Sequence, residues 1–378
     1  MKLELTDFIA LFALIQLLFL MIVILNYKKG KRLSNQLLAG FMASNALLLA
    51  GFLLRRFGWT SPVQWVALYS IGGSAYFLLM PFLYLYLQSL CYKNFHLKVT
   101  HLLHALPFGT FVVFSLVIHV LNHTPFQNDV TISVHQFIGQ IDYWSHSIAL
   151  HIQILSYLVA SVILLRKYRE GVKDMYSSIE RIDLHWCNLL LVGFATMWFL
   201  DFLQWILGVF HLSSPTIFYW MLMTSLFINL AFTLIVTYKG LAQSGSFSGI
   251  QGFPKYAGSR LKPSDCDEIV QKLITCMERD KPYLTLSTSL EDLSKKLSIP
   301  ERNLSQVIHT HFNQSFYDFI NSYRIEEIKK RICNDDYGNY TLLAIAYDAG
   351  FNSKSVFNAA FKKHTGLTPK EYKRQHSL

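Results

Sequence analysis

The sequence has little charge, few cysteines and none of the short motifs that mark common hydrolases. Charged residues make up only 15% of its 378 residues and hydrophobic residues make up 52%, so the chain is too apolar to be one soluble domain. Its five cysteines form no C-x-x-C pair, which argues against a zinc cluster and a disulfide framework. Neither H-E-x-x-H nor G-x-S-x-G occurs. We therefore expect no enzyme, no metal and no cofactor.

Long apolar runs dominate the first 238 residues. Each is close to the ~20 residues that a helix needs to cross ~30 Å of hydrocarbon. Pro81 within the third run predicts a helix kink, and the small residues at 72–75 predict close packing or flexibility. The pattern predicts an all-α fold in which residues 1–238 form a seven-helix transmembrane bundle, with helices at Phe8–Leu25, Leu37–Leu54, Val63–Leu87, Leu102–Leu121, Trp144–Leu165, Cys187–Phe210 and Ile217–Tyr238.

Basic residues are distributed between the loops as the positive-inside rule describes. Eleven Lys and Arg residues fall on one side of the predicted bundle and three on the other, before Lys239 is counted. The N-terminus is therefore predicted outside and the C-terminal part in the cytoplasm. The outer residues are Lys2, Arg55 and Arg56, and the inner ones are Lys28, Lys29, Lys31, Arg32, Lys93, Lys98, Arg166, Lys167, Arg169, Lys173 and Arg181.

Several polar side chains fall at predicted membrane depth, where an ionisable group is costly unless it faces protein or water. Asp201 lies within the sixth predicted helix, with His146, His151 and Gln153 on the preceding helix as candidate partners. Two interpretations stay open. Either Asp201 lines a pocket for a ligand or ion, or it accepts a hydrogen bond between packed helices.

Residues 239–262 are rich in Gly and Ser and contain no acidic residue. They predict a flexible tether with a reach of roughly 25–30 Å between the bundle and a C-terminal domain at 263–378. The basic residues of this linker either rest on anionic lipid or only keep the linker soluble.

The C-terminal domain begins with the pattern of a helix-turn-helix motif. Ser289 predicts the start of a short helix, and Pro300 predicts the start of the next one, over 301–311. Outward side chains of that helix can contact base edges in a major groove, and they are Arg302, Ser305 and Gln306.

A second motif of the same kind follows a long helix that is predicted to begin after Ser315. Gly350 supplies its tight turn, and Ser353 is predicted to cap its recognition helix. The positions predicted to contact bases are Lys354, Ser355 and Asn358, and those predicted near phosphates are Lys362 and Lys363.

At these residues the chain resembles the DNA-binding domain of the AraC/XylS family of bacterial transcription regulators, over about residues 264–376. Two strings carry the resemblance, Phe316-Tyr317-Asp318-Phe319-Ile320-Asn321-Ser322-Tyr323-Arg324-Ile325 and Gly350-Phe351…Phe361-Lys362-Lys363…Gly366-Leu367-Thr368-Pro369…Tyr372. The resemblance implies two recognition helices in successive major grooves of double-stranded promoter DNA, with the outward residues given above at base-facing positions. The family's usual N-terminal sugar-binding barrel is absent from the sequence, so no sugar effector is implied.

Four interpretations of the whole chain compete. In the first, a homodimer in the lipid bilayer detects an unknown small-molecule or membrane signal and changes promoter occupancy. In the second, the bundle is a transporter or intramembrane enzyme with a fused regulator, although no inverted repeat is evident. In the third, the bundle is a passive anchor and proteolysis in the linker releases the regulator. In the fourth, the C-terminal helices form a protein-interaction module that binds no DNA.

Overall fold

The computed structural model describes residues 3–28, 31–58, 63–122, 129–180, 182–212, 214–243, 263–333 and 340–376. Within these residues the regular elements are helical, and an isolated antiparallel bridge joins Tyr176 and Ser289. The predicted all-α class is thus confirmed for the described part of the chain. Two compact units are present: an apolar unit, Met1–Arg166 and Leu184–Gln251, and a C-terminal unit, Lys167–Asp183 and Gly252–Leu378.

The apolar unit consists of helices with almost no polar face, as expected for segments that pack in lipid or are buried all round. Six helical stretches of the described chain are long and apolar enough to cross a membrane. The helices of this part are α1 (Leu5–Asn26), α2 (Arg32–Arg56), α3 (Val63–Ser74), α4 (Tyr76–Cys91), α5 (Leu106–Asn122), α6 (Asp129–Lys173), α7 (Trp186–Val209) and α8 (Pro215–Gln243), with a 3₁₀ helix over Val99–Ala105.

The predicted count of seven spans is not confirmed, because the third predicted span, Val63–Leu87, is divided. It consists of α3 with 12 residues and α4 with 16, and each is shorter than the ~20 residues that a straight span needs. The division falls at Ala75. Gly72, just before it, packs so closely on α2 that an added Cβ would lie 2.9 Å from the Cα of Gly51. The small residues therefore serve close packing next to the break.

Pro81 does not interrupt α4, so the helix break lies six residues before the predicted position. A proline lacks the N–H that would bond the carbonyl four residues earlier, here that of Phe77. The side-chain amide of Gln153 on α6 donates to the Phe77 carbonyl oxygen at 3.2 Å and replaces that bond. A neighbouring helix thus compensates for the proline.

Two helices extend beyond their predicted ends. The helix predicted over Trp144–Leu165 is part of α6, which contains 45 residues. α8 continues to Gln243, so the tether predicted from Lys239 begins later, because Leu241, Ala242 and Gln243 are good helix formers. Residues 244–262 lie outside the described residues, as do these basic residues of the charge analysis: Lys2, Lys29, Arg181, Lys255, Arg260 and Lys262.

The C-terminal unit contains two hydrophobic clusters. The first surrounds Leu273, Leu304 and Phe316, and the second surrounds Phe351 and Phe361. Its helices are α9 (Pro263–Arg279), α10 (Leu290–Leu297), α11 (Glu301–His311), α12 (Phe316–Ile332), α13 (Leu342–Asp348), α14 (Lys354–Thr365) and α15 (Pro369–His376), with a 3₁₀ turn at Pro282–Leu284.

Helix α12 connects the two clusters. Its first half contributes Phe316, Phe319 and Ile320 to the first cluster, and its second half contributes Ile325 and Ile328 to the second. Its N-terminus is capped as predicted, since the Ser315 hydroxyl accepts from the backbone N–H of Asp318 at 3.1 Å. One helix therefore sets the distance between both motifs.

Candidate nucleic-acid interface

The first helix-turn-helix motif consists of α10 and α11. The Ser289 hydroxyl accepts from the backbone N–H of Asp292 at 3.1 Å, while the Asp292 carboxylate accepts from the backbone N–H of Ser289 at 3.0 Å. This capping box confirms the predicted start of α10. Ser298 then takes a left-handed conformation with φ of 54°, and Pro300 is the N-cap of α11. These features turn the chain sharply between the two helices.

The predicted base-contacting residues of α11 differ in exposure. Arg302 is exposed, and Gln306 is only partly exposed. Ser305 is buried, with 2% of its surface exposed, so the prediction that it faces outward into solvent is wrong in this structure. Leu304 and Val307 face the hydrophobic core of the first motif, and Ser305 lies to one side of this inward face of α11.

The second motif consists of α13 and α14. The Thr341 hydroxyl caps α13 by accepting from the backbone N–H of Ala344 at 3.1 Å. Gly350 makes the turn with φ of 95°, and a Cβ at this position would lie 2.9 Å from Nε of Arg324. The turn therefore requires glycine, both for its conformation and for the close approach.

Ser353 occupies the N-cap position of α14 but makes no side-chain bond to the backbone there. Its hydroxyl lies 2.8 Å from the hydroxyl of Ser355. The prediction of a side-chain cap is thus wrong. Ser353 has an extended backbone at the N-cap position, and its hydroxyl bonds that of Ser355 instead of the helix backbone.

The predicted contact residues of α14 lie on an open surface. Lys354, Ser355, Asn358 and Lys362 are all exposed. Lys363 is also exposed, and its ammonium group pairs with the Asp318 carboxylate on α12 at 2.7 Å. The second motif therefore presents a continuous polar and basic face, which is the surface that contact with bases and phosphates requires.

Arg324 on α12 holds the two motifs together from inside. Its side chain is almost fully buried, and its Nε donates to the carbonyl of Tyr283 at 2.7 Å while Nη2 donates to that of Thr285 at 2.8 Å. The guanidinium also lies 5.6 Å from the ring centre of Phe351, which follows the glycine turn of the second motif. Burial lowers the pKa of Arg324 to about 10, so it stays charged at neutral pH. Its role was not predicted, because an arginine within a helix is usually a surface residue.

A further part of the C-terminal unit comes from residues far earlier in the chain. The segment Asp174–Glu180, called the strap below, lies between α6 and α7 in the sequence and contacts both motifs. The Met175 carbonyl accepts from the backbone N–H of Leu290 at 2.8 Å, and the backbone N–H of Ser177 donates to the Thr288 carbonyl at 3.1 Å. The Ser177 carbonyl also accepts from Nη1 of Arg324 at 3.3 Å. Such long-range pairing leaves no signal in a sequence pattern.

Asp201 of the apolar unit lines a cavity of about 430 Å³. Other polar residues around this cavity are Asn45, Arg55, Tyr76, Ser225 and Asn229. Nδ2 of Asn229 donates to Oδ1 of Asn45 at 3.2 Å, whereas Oδ1 of Asn229 is buried without a hydrogen-bond partner among the described residues. A polar cluster therefore lies among apolar side chains.

The two histidines predicted beside Asp201 lie elsewhere. Nδ1 of His151 is 3.2 Å from Nε1 of Trp198, and the ring of His151 contacts Phe202. His146 packs edge-on against Phe77 and Phe111. Neither histidine lines the Asp201 cavity, so the structure does not bring these three residues into one site.

Comparison with known proteins agrees with the geometry of the C-terminal unit. A family model described as a helix-turn-helix domain matches residues 293–375. An AraC-like transcription regulator of Streptomyces lividans is 26% identical over 112 residues, which are 30% of this chain and 35% of that protein. An HTH-type transcriptional regulator of Staphylococcus aureus is 34% identical over 85 residues, 22% of this chain and 11% of that protein.

A third relative is the HTH-type transcriptional activator RhaS of Mannheimia succiniciproducens. It is 27% identical over 81 residues, which are 21% of this chain and 29% of that protein. The chain spans about a third of the length of the first relative and a smaller share of the other two. The C-terminal part of the chain thus contains an AraC-type helix-turn-helix domain.

Proposed function

We propose that this chain, with its AraC-type helix-turn-helix domain, is a membrane-bound regulator that binds specific promoter DNA and changes transcription. The observation that carries the proposal is the pair of motifs connected by α12 and by the buried Arg324. A rigid pair of recognition helices can enter successive major grooves on one face of DNA. A protein-interaction module would not need polar and basic side chains along the outer face of α14.

The outer residues of the two recognition helices divide into two roles. Arg302, Ser305 and Gln306 on α11 would contact bases, as would Lys354, Ser355 and Asn358 on α14. Lys362 and Lys363 lie further along α14 and would contact phosphates, which position the domain without specifying the sequence.

The apolar unit would hold the regulator in a bacterial cytoplasmic membrane. Six stretches have the length and apolarity of membrane spans, and α3 and α4 together would form one further, broken span. The odd total and the basic loop residues favour an outer N-terminus and a cytoplasmic C-terminal domain. Two copies held in one membrane would raise each other's effective concentration on paired DNA sites. A homodimer is therefore the assembly that we propose on the promoter.

The cavity at Asp201 is our candidate for the site where a signal binds. A carboxyl group at membrane depth is costly to retain without a function, and two amides and a tyrosine hydroxyl share the cavity with it. Asn229 offers a buried acceptor that a ligand could use. A small amphipathic molecule with a hydrogen-bonding head would fit these lining groups.

Genome-wide DNA crosslinking of the full-length protein tests the proposal. Wild type is compared with the double variant Lys354→Ala, Asn358→Ala and with a control, Lys272→Ala, whose exposed side chain pairs with Glu268 on the same helix, α9. Discrete promoter peaks that disappear only in the double variant, from protein retained in membranes, are expected. Peaks that are equal in all three proteins would contradict DNA contact through α14.

A further inference from the structure

The outer faces of the two recognition helices can be compared position by position. Ser305 is the fifth residue of α11, and Asn358 is the fifth residue of α14. Each follows an inward residue by one position and so has the same angular offset from its core. Asn358 is exposed, whereas Ser305 is 2% exposed. Some feature specific to the first motif therefore covers Ser305.

The same difference continues along the helices. Gln306 is the sixth residue of α11 and points away from the core formed by Leu304 and Val307, yet its Oε1 atom is buried. The sixth residue of α14, Ala359, is exposed. Because Gln306 is partly covered although it points away from the core, we infer that the cover comes from outside the motif's own core.

The strap lies on this face of α11. At the C-terminal end of the helix, Oδ1 of Asp174 is 3.0 Å from Nε2 of His309. His309 is three residues after Gln306 and seven after Arg302, so all three share the outer stripe. Toward the N-terminal end, burial and then the charges of Glu291 and Glu301 raise the pKa of Tyr176, which places its ring near the start of α11. The strap thus contacts the outer stripe at His309, and Tyr176 lies near acidic residues at the start of α11, while Arg302 stays exposed.

The strap is bonded to residues before α10 and before α14. Ser177 is 1% exposed, and its hydroxyl donates to the Thr288 carbonyl at 2.7 Å. At its far end, the Glu180 carboxylate accepts from the side-chain amide of Asn352 at 3.0 Å, just before the second recognition helix. The residues that follow the strap are bonded to the end of α6, since the Tyr168 hydroxyl donates to the Ile182 carbonyl at 2.6 Å. These bonds fix the strap instead of leaving a loose loop.

The strap carries negatively charged carboxylates, as the DNA backbone carries negatively charged phosphates. Its two acidic side chains, Asp174 and Glu180, bond to His309 and Asn352 beside the recognition helices. A histidine imidazole and an asparagine amide at such positions are donors that would otherwise be available to phosphate oxygens. Carboxylates at both ends of the strap therefore satisfy groups that an incoming phosphate would need.

We propose that the strap is an intramolecular inhibitor: the acidic segment Asp174–Glu180 occupies the base-contacting face of α11, so that the strap and DNA exclude each other there. The inference rests on the proposed function, in which α11 enters a major groove. Since the strap is covalently joined to α6 and α7, a change in those two helices is the event that would withdraw it. The second motif stays open and can contact DNA first, and the first motif follows when the strap leaves.

Cysteine accessibility tests the strap without requiring a known promoter. Ser305→Cys and Asn358→Cys are made separately in full-length protein in which Cys266 and Cys333 are serine, and each is labelled with a hydrophilic maleimide in detergent. The Ser305→Cys thiol is expected to react at least about tenfold more slowly than the Asn358→Cys thiol, because it reacts only when the strap opens. Adding Asp174→Ala and Glu180→Ala should bring the two rates close together.

A matched control removes a charge without removing a strap contact. Glu170→Ala eliminates an exposed carboxylate on α6 and should leave both labelling rates unchanged. The Asn358→Cys rate, at a position that is already exposed, should be the same in every background and serves as the reference for reagent reactivity. Equal rates at both cysteines in the parent protein, or a Ser305→Cys rate that stays slow after the strap changes, would overturn the proposal.

Promoter crosslinking separates this inference from the proposed function. Strap release should raise crosslinking of the Asp174→Ala, Glu180→Ala variant at wild-type peaks, and Glu170→Ala should not. If no DNA peaks occur for any protein but the labelling difference holds, the strap contact stands and DNA binding fails. If peaks occur and the strap changes leave them unchanged, the inhibition fails and DNA binding stands.

Discussion

The two helix-turn-helix motifs of the C-terminal unit share their inner design and differ in their outer surface. Both bury one apolar stripe of the recognition helix, and both use a left-handed residue in or near the turn, Ser298 in the first motif and Gly350 in the second. Outside, α14 is open, whereas α11 lies under the strap and Ser305 is buried. The comparison teaches that the inner face of such a motif sets its fold, and that its availability for DNA is decided separately.

The connection between the two motifs should depend most strongly on Arg324. Arg324→Met removes the donor to the carbonyls of Tyr283 and Thr285 and leaves them buried without partners, which should cost about 3 kcal/mol or more. Hydrogen exchange of the C-terminal unit in the full-length protein measures this loss of stability. Arg302→Met, a change of the same type at an exposed position, should leave exchange unchanged. Equal protection in both variants would show that Arg324 does not hold the motifs together.

The second prediction concerns the turn of the second motif. Gly350→Ala should destabilise the C-terminal unit by about 2 kcal/mol or more, because its Cβ would approach Nε of Arg324 in addition to the strain of φ at 95°. Gly366→Ala carries a similar positive φ of 76° but has open space around it, so about 1 kcal/mol is expected. The unfolding temperature of the C-terminal unit, measured by proteolysis during heating, compares the two variants. A larger loss at Gly366 would contradict the importance of the close approach.

The third prediction sharpens the difference between the covered and the open helix. Gln306→Ala and Asn358→Ala each remove a side chain that can bond adenine, a contact worth about 1–3 kcal/mol where it forms. In the wild-type background, Asn358→Ala should weaken promoter crosslinking and Gln306→Ala should change it little. In the Asp174→Ala background both substitutions should weaken promoter crosslinking. A double-mutant cycle measures this coupling between Gln306 and Asp174. Additive effects of Gln306→Ala and Asp174→Ala would argue against competition.

The smallest effect compares the two serines at helix starts. Ser289→Ala removes a complete capping box and should cost about 1 kcal/mol, whereas Ser353→Ala removes no bond to the backbone and should cost only a few tenths. Chemical denaturation of the full-length protein in detergent, followed through the C-terminal unit, distinguishes the two. Equal costs would show that Ser353 caps α14 in solution.

Local patterns in the sequence predicted much of the C-terminal unit. The capping serines at 289 and 315 and the glycine at 350 act through bonds or dihedral angles within a few residues, so their positions indicate helix boundaries directly. Ser353 shows the limit of that reasoning. A serine at an N-cap position can bond a neighbouring hydroxyl as well as the backbone, and the sequence does not distinguish the two.

In the apolar unit, the lengths of apolar runs were predictable and the details of packing were not. Gly72 packs closely on Gly51 next to the division of the third predicted span at Ala75, and the Gln153 amide from another helix bonds the carbonyl that Pro81 leaves without its helical partner. Asp201 does line a polar cavity, but His146 and His151 do not share it. Periodicity indicates which residues share a face of one helix, and it does not indicate which helices meet.

Sequence patterns were enough to predict an apolar N-terminal part, a more polar C-terminal part and two helix-turn-helix motifs. These features follow from hydrophobic pattern, capping and turn chemistry, which act over one helix or less. The burial of Arg324 between the motifs, and the contact of a segment more than a hundred residues earlier with His309 on α11, are visible only in the tertiary structure. The physical reason is that these contacts join residues distant in sequence, whose backbone hydrogen bonds and ion pairs require no local pattern at either end.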